Sequence, residues 1–418
     1  MAKIVLRSVV LRGERTDVLI SGKKFAKIGR PLTARDLDKA EVVDCSGLAI
    51  LPPFFNGHCH AAMTLMRGLG GGLPLRAWLE KVVWPFEARL TPDDVEAGAR
   101  LAVLEMIKTG TVFFSDMYWN RERTMKVVKE MGIRAAIGVT FAECLDSAGH
   151  EKENFDFIRA HRGESDRVKI SVMPHSVYLV GEKLFKRCAK AAREEGMVLH
   201  THLSETRREI RDCGREHGCS PVELLDRWGV LDGNLVAAHC VHLSPRDMEL
   251  MAASGASAVL NLTSNLKLGS GIPKISAMAK RGIPLGLGTD GASSNDCLDM
   301  RGEAKLAALL AKASGRTEAL PAGEALAMAT ENVARAYGVR SGRIEEGWLA
   351  DALLVDLGNG RLNPLHDLES NWIYSGDAES IRSVLCDGRF VMKDRRVDGE
   401  EEIVAEANAR ALRLARGG

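Results

Sequence analysis

Two short patterns in this chain have the form of metal-binding sites. His58-Cys59-His60 and His200-Thr201-His202 each carry two imidazoles one residue apart. On a strand, alternation puts both rings of such a pair on one face and the middle residue on the other. Two imidazoles at one strand end can chelate a divalent ion, and a catalytic site needs three or four protein ligands with one position open. Asp290, in Gly286-Leu287-Gly288-Thr289-Asp290-Gly291, can supply a carboxylate. His58, His60, His202 and Asp290 would then hold the ion, with His239 nearby and Glu205 in the loop after His202. A blander reading makes Asp290 a helix cap before Ala292-Ser293-Ser294, but capping does not explain the clustering. Cys59 and Cys240 point away from the ion and read as buried core thiols.

These residues need a frame that brings distant strand ends together. Between Pro52 and about Val339, apolar runs alternate with amphipathic segments such as 93–109, 121–131, 182–195, 221–228 and 245–254. The runs end near His60, Asp116, Phe141, His175, His202, His239, Asn261 and Asp290. Eight strand–helix units predict a (β/α)8 TIM barrel, whose strand C-termini form one rim where chemistry sits. A doubly wound sheet is the alternative, but no GxGxxG or GxxxxGK[ST] phosphate loop supports it. His150, His161, His217 and His366 fall in polar or helical stretches and are expected on the surface. Short strands punctuated by Gly, Asp and Pro fill the first fifty residues and recur from Ala352 to Met392, before a helix over 400–416. Both terminal pieces are too short to bury a sheet face alone, so they should form one small β-sandwich domain. The expected division is 1–52 with 343–418, and a catalytic barrel over 53–342.

Composition narrows the function. The chain has 418 residues, 57 Lys+Arg against 56 Asp+Glu, and 54 Gly and Pro together. A net charge of +1 argues against a nucleic-acid partner, and the low Gly and Pro content against disorder or fibre. Nothing approaches a membrane span, and the N-terminus becomes charged too soon for a signal peptide. Nine scattered cysteines without a CxxC pair read as reduced cytoplasmic thiols.

The motifs resemble the amidohydrolase superfamily, in its mononuclear aminohydrolase branch. They are most similar to the methylthioadenosine/S-adenosylhomocysteine deaminase group, with the chlorotriazine hydrolases as cousins. The matching segments are Gly57-His58-Cys59-His60, Met63-Thr64-Leu65-Met66-Arg67-Gly68, Trp84-Pro85-Phe86-Glu87, Pro174-His175-Ser176, His200 to Thr206, Ala238 to Leu243, Ser264 to Gly269 and Thr289 to Asn295. The resemblance implies that His58, His60, His202 and Asp290 are the metal ligands, Glu205 the proton shuttle, and His239 the group that steadies the attacking water. It implies that Glu87 and His175 contact a nucleoside. One divalent ion is expected, Zn2+ first, with Fe2+, Mn2+ or Ni2+ accepted by the same donors. Binuclear relatives carry a carboxylated lysine at the end of the fourth strand, whereas Lys169 stands at its start. The HxE and PCxxC pattern of the other zinc deaminases does not occur.

The resemblance implies hydrolytic deamination: Glu205 protonates the ring nitrogen beside an amine-bearing carbon, Asp290 accepts a proton from water, and ammonia leaves. Relatives that accept S-adenosylhomocysteine carry arginines after the third strand. The matching stretch, Gly138 to Asp146, has none, and only His150 and Lys152 lie downstream. An uncharged substrate such as adenosine, 5′-methylthioadenosine or 5′-deoxyadenosine is therefore expected over S-adenosylhomocysteine. A guanine-like base, a pterin or a triazine is the alternative, and a non-catalytic binding protein a remote one, since every metal and acid/base position is filled. Relatives suggest a homo-oligomer, dimer or tetramer. Gly70-Gly71-Gly72, ahead of Trp78 and Glu87, reads either as part of a lid or as an ordinary loop.

Overall fold

The computed structural model describes residues 2–143, 150–163, 165, 167–313 and 315–415. Runs rich in β-branched residues, broken by glycine and aspartate turns, give the first five strands: β1 (Lys3–Leu11), β2 (Glu14–Ser21), β3 (Lys24–Ile28), β4 (Ala40–Asp44) and β5 (Leu48–Leu51). Eight more alternate with helices: β6 (Phe54–Cys59), β7 (Thr111–Asp116), β8 (Arg134–Phe141), β9 (Val168–Pro174), β10 (Val198–Leu203), β11 (Leu235–His239), β12 (Ser257–Leu260) and β13 (Leu285–Leu287). Then come β14 (Ala352–Asp356), β15 (Ile381–Cys386) and β16 (Arg389–Met392), and a helix at Glu400–Ala415.

Strands β6 to β13 pair in parallel, each with its successor. β7 and β8 are buried at every residue, as a parallel sheet covered on both faces requires. The ladder closes on itself just past β13. The Asp290 N–H donates to the His58 carbonyl and the Thr289 N–H to the Asn56 side chain, both at 3.0 Å. The result is the expected (β/α)8 TIM barrel. Its helices include Pro92–Lys108, Arg121–Met131, Glu182–Glu194, Pro221–Arg227 and Pro245–Ser254, within one residue of the sequence expectation at each end. Thr91, Ser220 and Ser244 start three of them by reciprocal capping with Asp94, Glu223 and Asp247.

The terminal strands join in one mixed sheet, ordered β16-β15-β14-β5-β1-β2-β3, with β4 also beside β1. A register shift between Leu6 and Val9, with Ser8 at φ +57°, lets β1 pair first with β4 and then, at Val10, with β5. The arms of the sheet share one apolar cluster of Leu6, Val18, Phe25, Ile50, Leu354 and Leu385. This is the mutual burial expected of two pieces that cannot bury a face separately.

A buried ion cluster ties this sheet to the barrel. Arg134, at the start of β8, meets Asp351 at 2.9 and 3.2 Å and also contacts Asp387. Asp351 further accepts the Asp387 N–H and the Ser341 hydroxyl, and Arg167 reaches Asp387 at 2.7 Å. Burial alone would raise the Asp351 pKa, but the Arg134 guanidinium outweighs it and holds the carboxylate below its usual range. The helix Glu400–Ala415 crosses Pro92–Lys108, with Arg410 on Asp94 and Lys108 on Glu400. It buries Ala407 and Leu414 with Leu65, Met66, Trp78 and Phe86. No helix among the described residues is long and apolar enough to cross a membrane.

Candidate active site

Barrel closure gathers His58, His60, His202, His239 and Asp290 at the C-terminal rim. The His58 ring lies 4.8 Å from those of His60 and His202 and 5.6 Å from that of His239, centroid to centroid. Each ring is held from behind through Nδ1. His60 uses the Met117 carbonyl at 2.7 Å, His202 the His175 carbonyl at 2.8 Å, His239 the Asn265 Oδ1 at 2.8 Å, and His58 the His200 Nε2 at 3.0 Å. A carbonyl only accepts, so neutral His60 and His202 carry their proton on Nδ1 and turn a bare Nε2 away from that bond. His58 Nε2 is buried without a partner.

Asp290 completes the group. Its Oδ1 lies 3.1 Å from His60 Nε2 and 3.6 Å from His58 Nε2. Its Oδ2 accepts the Ser264 and Ser294 hydroxyls at 2.6 and 2.9 Å. Ligand atoms of His58, His60 and Asp290, and likewise those of His58, His202 and His239, lie within 4.8 Å of one another. An orphaned buried imidazole nitrogen beside a carboxylate and further imidazoles fits a divalent cation of intermediate softness.

These groups act strongly on one another's charge. Burial would raise Asp290, but His58 and His60 outweigh it and keep the carboxylate well below its ordinary range. Burial works against a charged His60 too, yet Asp290 prevails and holds its pKa up at about 9. Burial pushes His58 down to about 4 and His175 to about 3, so both are neutral near pH 7. Ser204, His239, Cys240 and Asp290 all have positive φ, from +49° to +74°. Strained backbone is thus concentrated where the strands deliver their side chains.

Glu205 sits beside this group. Its Oε2 is 3.9 Å from His239 Nε2, and its Oε1 accepts the Ser270 hydroxyl at 3.2 Å. Burial raises its pKa, partly countered by His239. His175 is half-buried, with its ring 4.4 Å from that of His202. Glu87 ends a helical run from Leu75 that includes a π-turn over Leu79–Val83, and stands beside Tyr118 and Trp119. Burial raises its pKa as well. Gly70 packs against that run. At φ +72°, a Cβ there would lie 2.8 Å from Val82 and 3.0 Å from Trp78, so the position needs glycine twice over.

Residues 49–391 match the amidohydrolase family. The chain belongs to that family. It is 37% identical over 408 residues to the 5′-deoxyadenosine deaminase of Methanosphaera stadtmanae, covering 96% of each chain. It is 39% identical over 397 residues to the 5-methylthioadenosine/S-adenosylhomocysteine deaminase of Haloarcula marismortui, covering 93% of this chain and 91% of that one. Among solved structures, an adenosine deaminase from Xanthomonas campestris with bound zinc is 30% identical, with a TM-score of 0.92 over 99% of both chains. Amidohydrolases typically bind a divalent metal ion, in keeping with the donors gathered at this rim.

Several residues of this amidohydrolase site carried no role in the sequence reading. His200 and Tyr337 lie behind His58, Asn265 behind His239, and Ser264 and Ser294 behind Asp290. The Glu209 carboxylate accepts the Ser204 and Glu205 amides, and Glu303 accepts the Leu262 and Thr263 amides at the start of the helix that brings Ser264 and Asn265. The pattern Thr206-x-x-Glu209 suggests an ordinary capping box. Thr206 does cap, but the Glu209 carboxylate reaches past it into the loop. Lys169 lines a cavity of about 230 Å³ at the opposite end of the barrel, away from the metal-type donors. His150, His217 and His366 are exposed, while His161 is half-buried because it stacks on Phe157. Of the stretch after β8, Cys144 to Asp146 lie outside the described residues.

Proposed function

We propose that this amidohydrolase is a metal-dependent deaminase of an adenosine-type nucleoside, replacing the ring amine by oxygen and releasing ammonia. The observation that carries the proposal is the convergence of four imidazoles and Asp290 beside a buried acid, Glu205, whose pKa is raised. In this reading His58, His60, His202 and Asp290 hold one ion, Zn2+ first and Fe2+, Mn2+ or Ni2+ on the same donors. Such an ion supplies Lewis acidity, lowering the pKa of a water it coordinates from about 15.7 toward 7. His239, with its Nδ1–H on Asn265, offers its Nε2 lone pair to the attacking water, and Asp290 accepts the water's proton. Glu205, whose pKa burial raises, is the acid that gives a proton to the ring nitrogen beside the amine-bearing carbon. The proton held by Asp290 passes to the amine, the carbon–nitrogen bond breaks and ammonia departs, and the hydroxyl proton of the tetrahedral carbon returns to Glu205 as the ring carbonyl forms. Glu87 and His175 contact the nucleoside.

Adenosine, 5′-methylthioadenosine and 5′-deoxyadenosine are the proposed substrates, with S-adenosylhomocysteine a poorer one. Tyr178, 49% exposed with its ring 6.0 Å from that of His175, is the apolar surface an uncharged 5′ group would meet beside the site. Lys152 is turned to solvent and pairs with Asp156. The relatives above are named for 5′-deoxyadenosine, 5-methylthioadenosine and S-adenosylhomocysteine, which supports an adenosine-type nucleoside without ranking the three. The proposed catalytic unit is residues 53–342, with 1–52 and 343–418 as a second domain. A cytoplasmic location is in keeping with the free thiols among the described cysteines, and a homo-oligomer, dimer or tetramer, is proposed on the resemblance to relatives alone.

The test is an ammonia-release screen with the three nucleosides, S-adenosylhomocysteine, guanine, a pterin and a triazine, paired with metal quantification. Release from the adenosine-type nucleosides at about one ion per chain is expected. Release from none of them, or a chain that carries no divalent ion, overturns the proposal.

A further inference from the structure

Of the four imidazoles, His58 alone leans on a group whose chemistry does not fix the direction of the hydrogen bond. Met117 and His175 offer carbonyls, and Asn265 an amide oxygen, but His200 can donate or accept through Nε2. What settles the direction lies two bonds deeper. His200 Nδ1 is 2.7 Å from the Tyr337 hydroxyl, and that hydroxyl donates to the Gly57 carbonyl at 2.9 Å. The Gly57 carbonyl is available because the β6–β7 register shifts between Asn56 and Cys59. A Cβ at Gly57 would lie 2.9 Å from Val259 and 3.0 Å from the Leu287 carbonyl, so the strand can run this close only as glycine.

The protons can then be placed in order. A carbonyl cannot donate, so the Tyr337 proton goes to Gly57. The phenol oxygen must accept, so neutral His200 carries its proton on Nδ1. Its Nε2 is then a bare acceptor, so His58 donates from Nδ1. The His58 Nε2, orphaned and 3.6 Å from Asp290, is left with its lone pair outward. We propose that Tyr337 and His200 are positioning residues that lock His58 in the tautomer able to ligate the ion, with Gly57 as the anchor. The inference rests on the metal centre proposed above. In the reverse orientation an N–H would point at the cation.

A mutant cycle read on the zinc-loaded protein tests the relay. Tyr337→Phe keeps the ring but removes the anchor, and should weaken zinc retention against a competing chelator 10- to 100-fold. His200→Gln supplies a carbonyl oxygen to His58 without needing Tyr337. In that background Tyr337→Phe should change zinc retention less than twofold, and the His58 15N shifts should report the Nδ1–H form throughout. An equal loss in both backgrounds would mean that Tyr337 acts through packing, and would overturn the relay alone. So would a wild-type His58 with its proton on Nε2. A wild-type chain that retains no zinc would overturn the metal centre and the relay with it. None of these outcomes depends on which nucleoside is the substrate.

Discussion

Glu209 holds Glu205 by its backbone: one carboxylate oxygen accepts the Glu205 amide hydrogen at 2.7 Å while the other takes that of Ser204 at 2.8 Å. Glu209 is itself buried, and burial pushes its pKa up to about 7. The loop it clamps contains Ser204 at φ +53°, a strained residue with no reason to stay put once the clamp is gone.

Removing the clamp should therefore act on turnover. Glu209→Ala is expected to lower kcat about 10- to 100-fold at unchanged metal content, since a displaced proton donor is costly even when present. Glu205→Gln should lower kcat by about two to four orders of magnitude, again with the ion retained. Steady-state kinetics with metal quantification on each variant would check both. Near-normal turnover by Glu205→Gln would remove Glu205 from the chemistry.

Substrate choice should follow charge. An amino-acid carboxylate would find no arginine in the stretch Gly138 to Asp146 to pair with, and a buried charge without a partner is expensive. The expected kcat/KM for 5′-methylthioadenosine or 5′-deoxyadenosine exceeds that for S-adenosylhomocysteine at least about tenfold, a difference of roughly 1.4 kcal/mol. Competition between the two classes in one reaction measures the ratio directly, and a ratio near one would reject the argument.

The ion cluster under β8 is a stability prediction. Arg134→Met leaves Asp351 without its buried cation, while Asp387 keeps Arg167, and should cost about 3–5 kcal/mol in urea unfolding. The exposed pair of Arg76 with Glu80 is the control, and Arg76→Ala should change stability by less than about 1 kcal/mol. Similar effects from the two variants would show that the cluster holds nothing together.

Stability should also depend on pH through Glu303. Burial raises its pKa from 4.5 to about 7, against the amides of Leu262 and Thr263 that it accepts. A raised folded-state pKa gives a contribution that is complete below the unfolded value and is lost as pH climbs through the folded one. Relative to Glu303→Gln, which does not titrate, the wild type should lose about 2 to 3 kcal/mol between pH 5 and pH 8. Urea unfolding of both proteins at the two pH values, with saturating metal, gives the number. A gap that stays constant would mean that Glu303 is ionised throughout.

The sequence makes the barrel legible because parallel strands buried on both faces are nearly continuous apolar runs, and eight of them stand out between amphipathic helices. The two HxH patterns and Asp290 are legible as candidates because strand alternation is a local rule. His200 was not, although it belongs to the same kind of pattern as His58. Whether such a histidine faces the ion or stands behind a ligand depends on Tyr337, which reaches it only through barrel closure. Arg134, Asp351 and Asp387 look like ordinary solvated charges along the chain, and only the meeting of sheet and barrel buries them. Glu209 is hidden for the opposite reason, since its spacing from Thr206 is that of a common local capping motif.

Strand β5 lies between β1 on one side and β14 on the other. During synthesis the leading segment therefore emerges with a neighbour missing, and stays so until the ribosome has completed every strand of the barrel. Its bare backbone edge is a template for stray pairing throughout that interval. Shortened versions that stop before Ala352 would carry the same open edge permanently, and would clump rather than yield a working barrel alone.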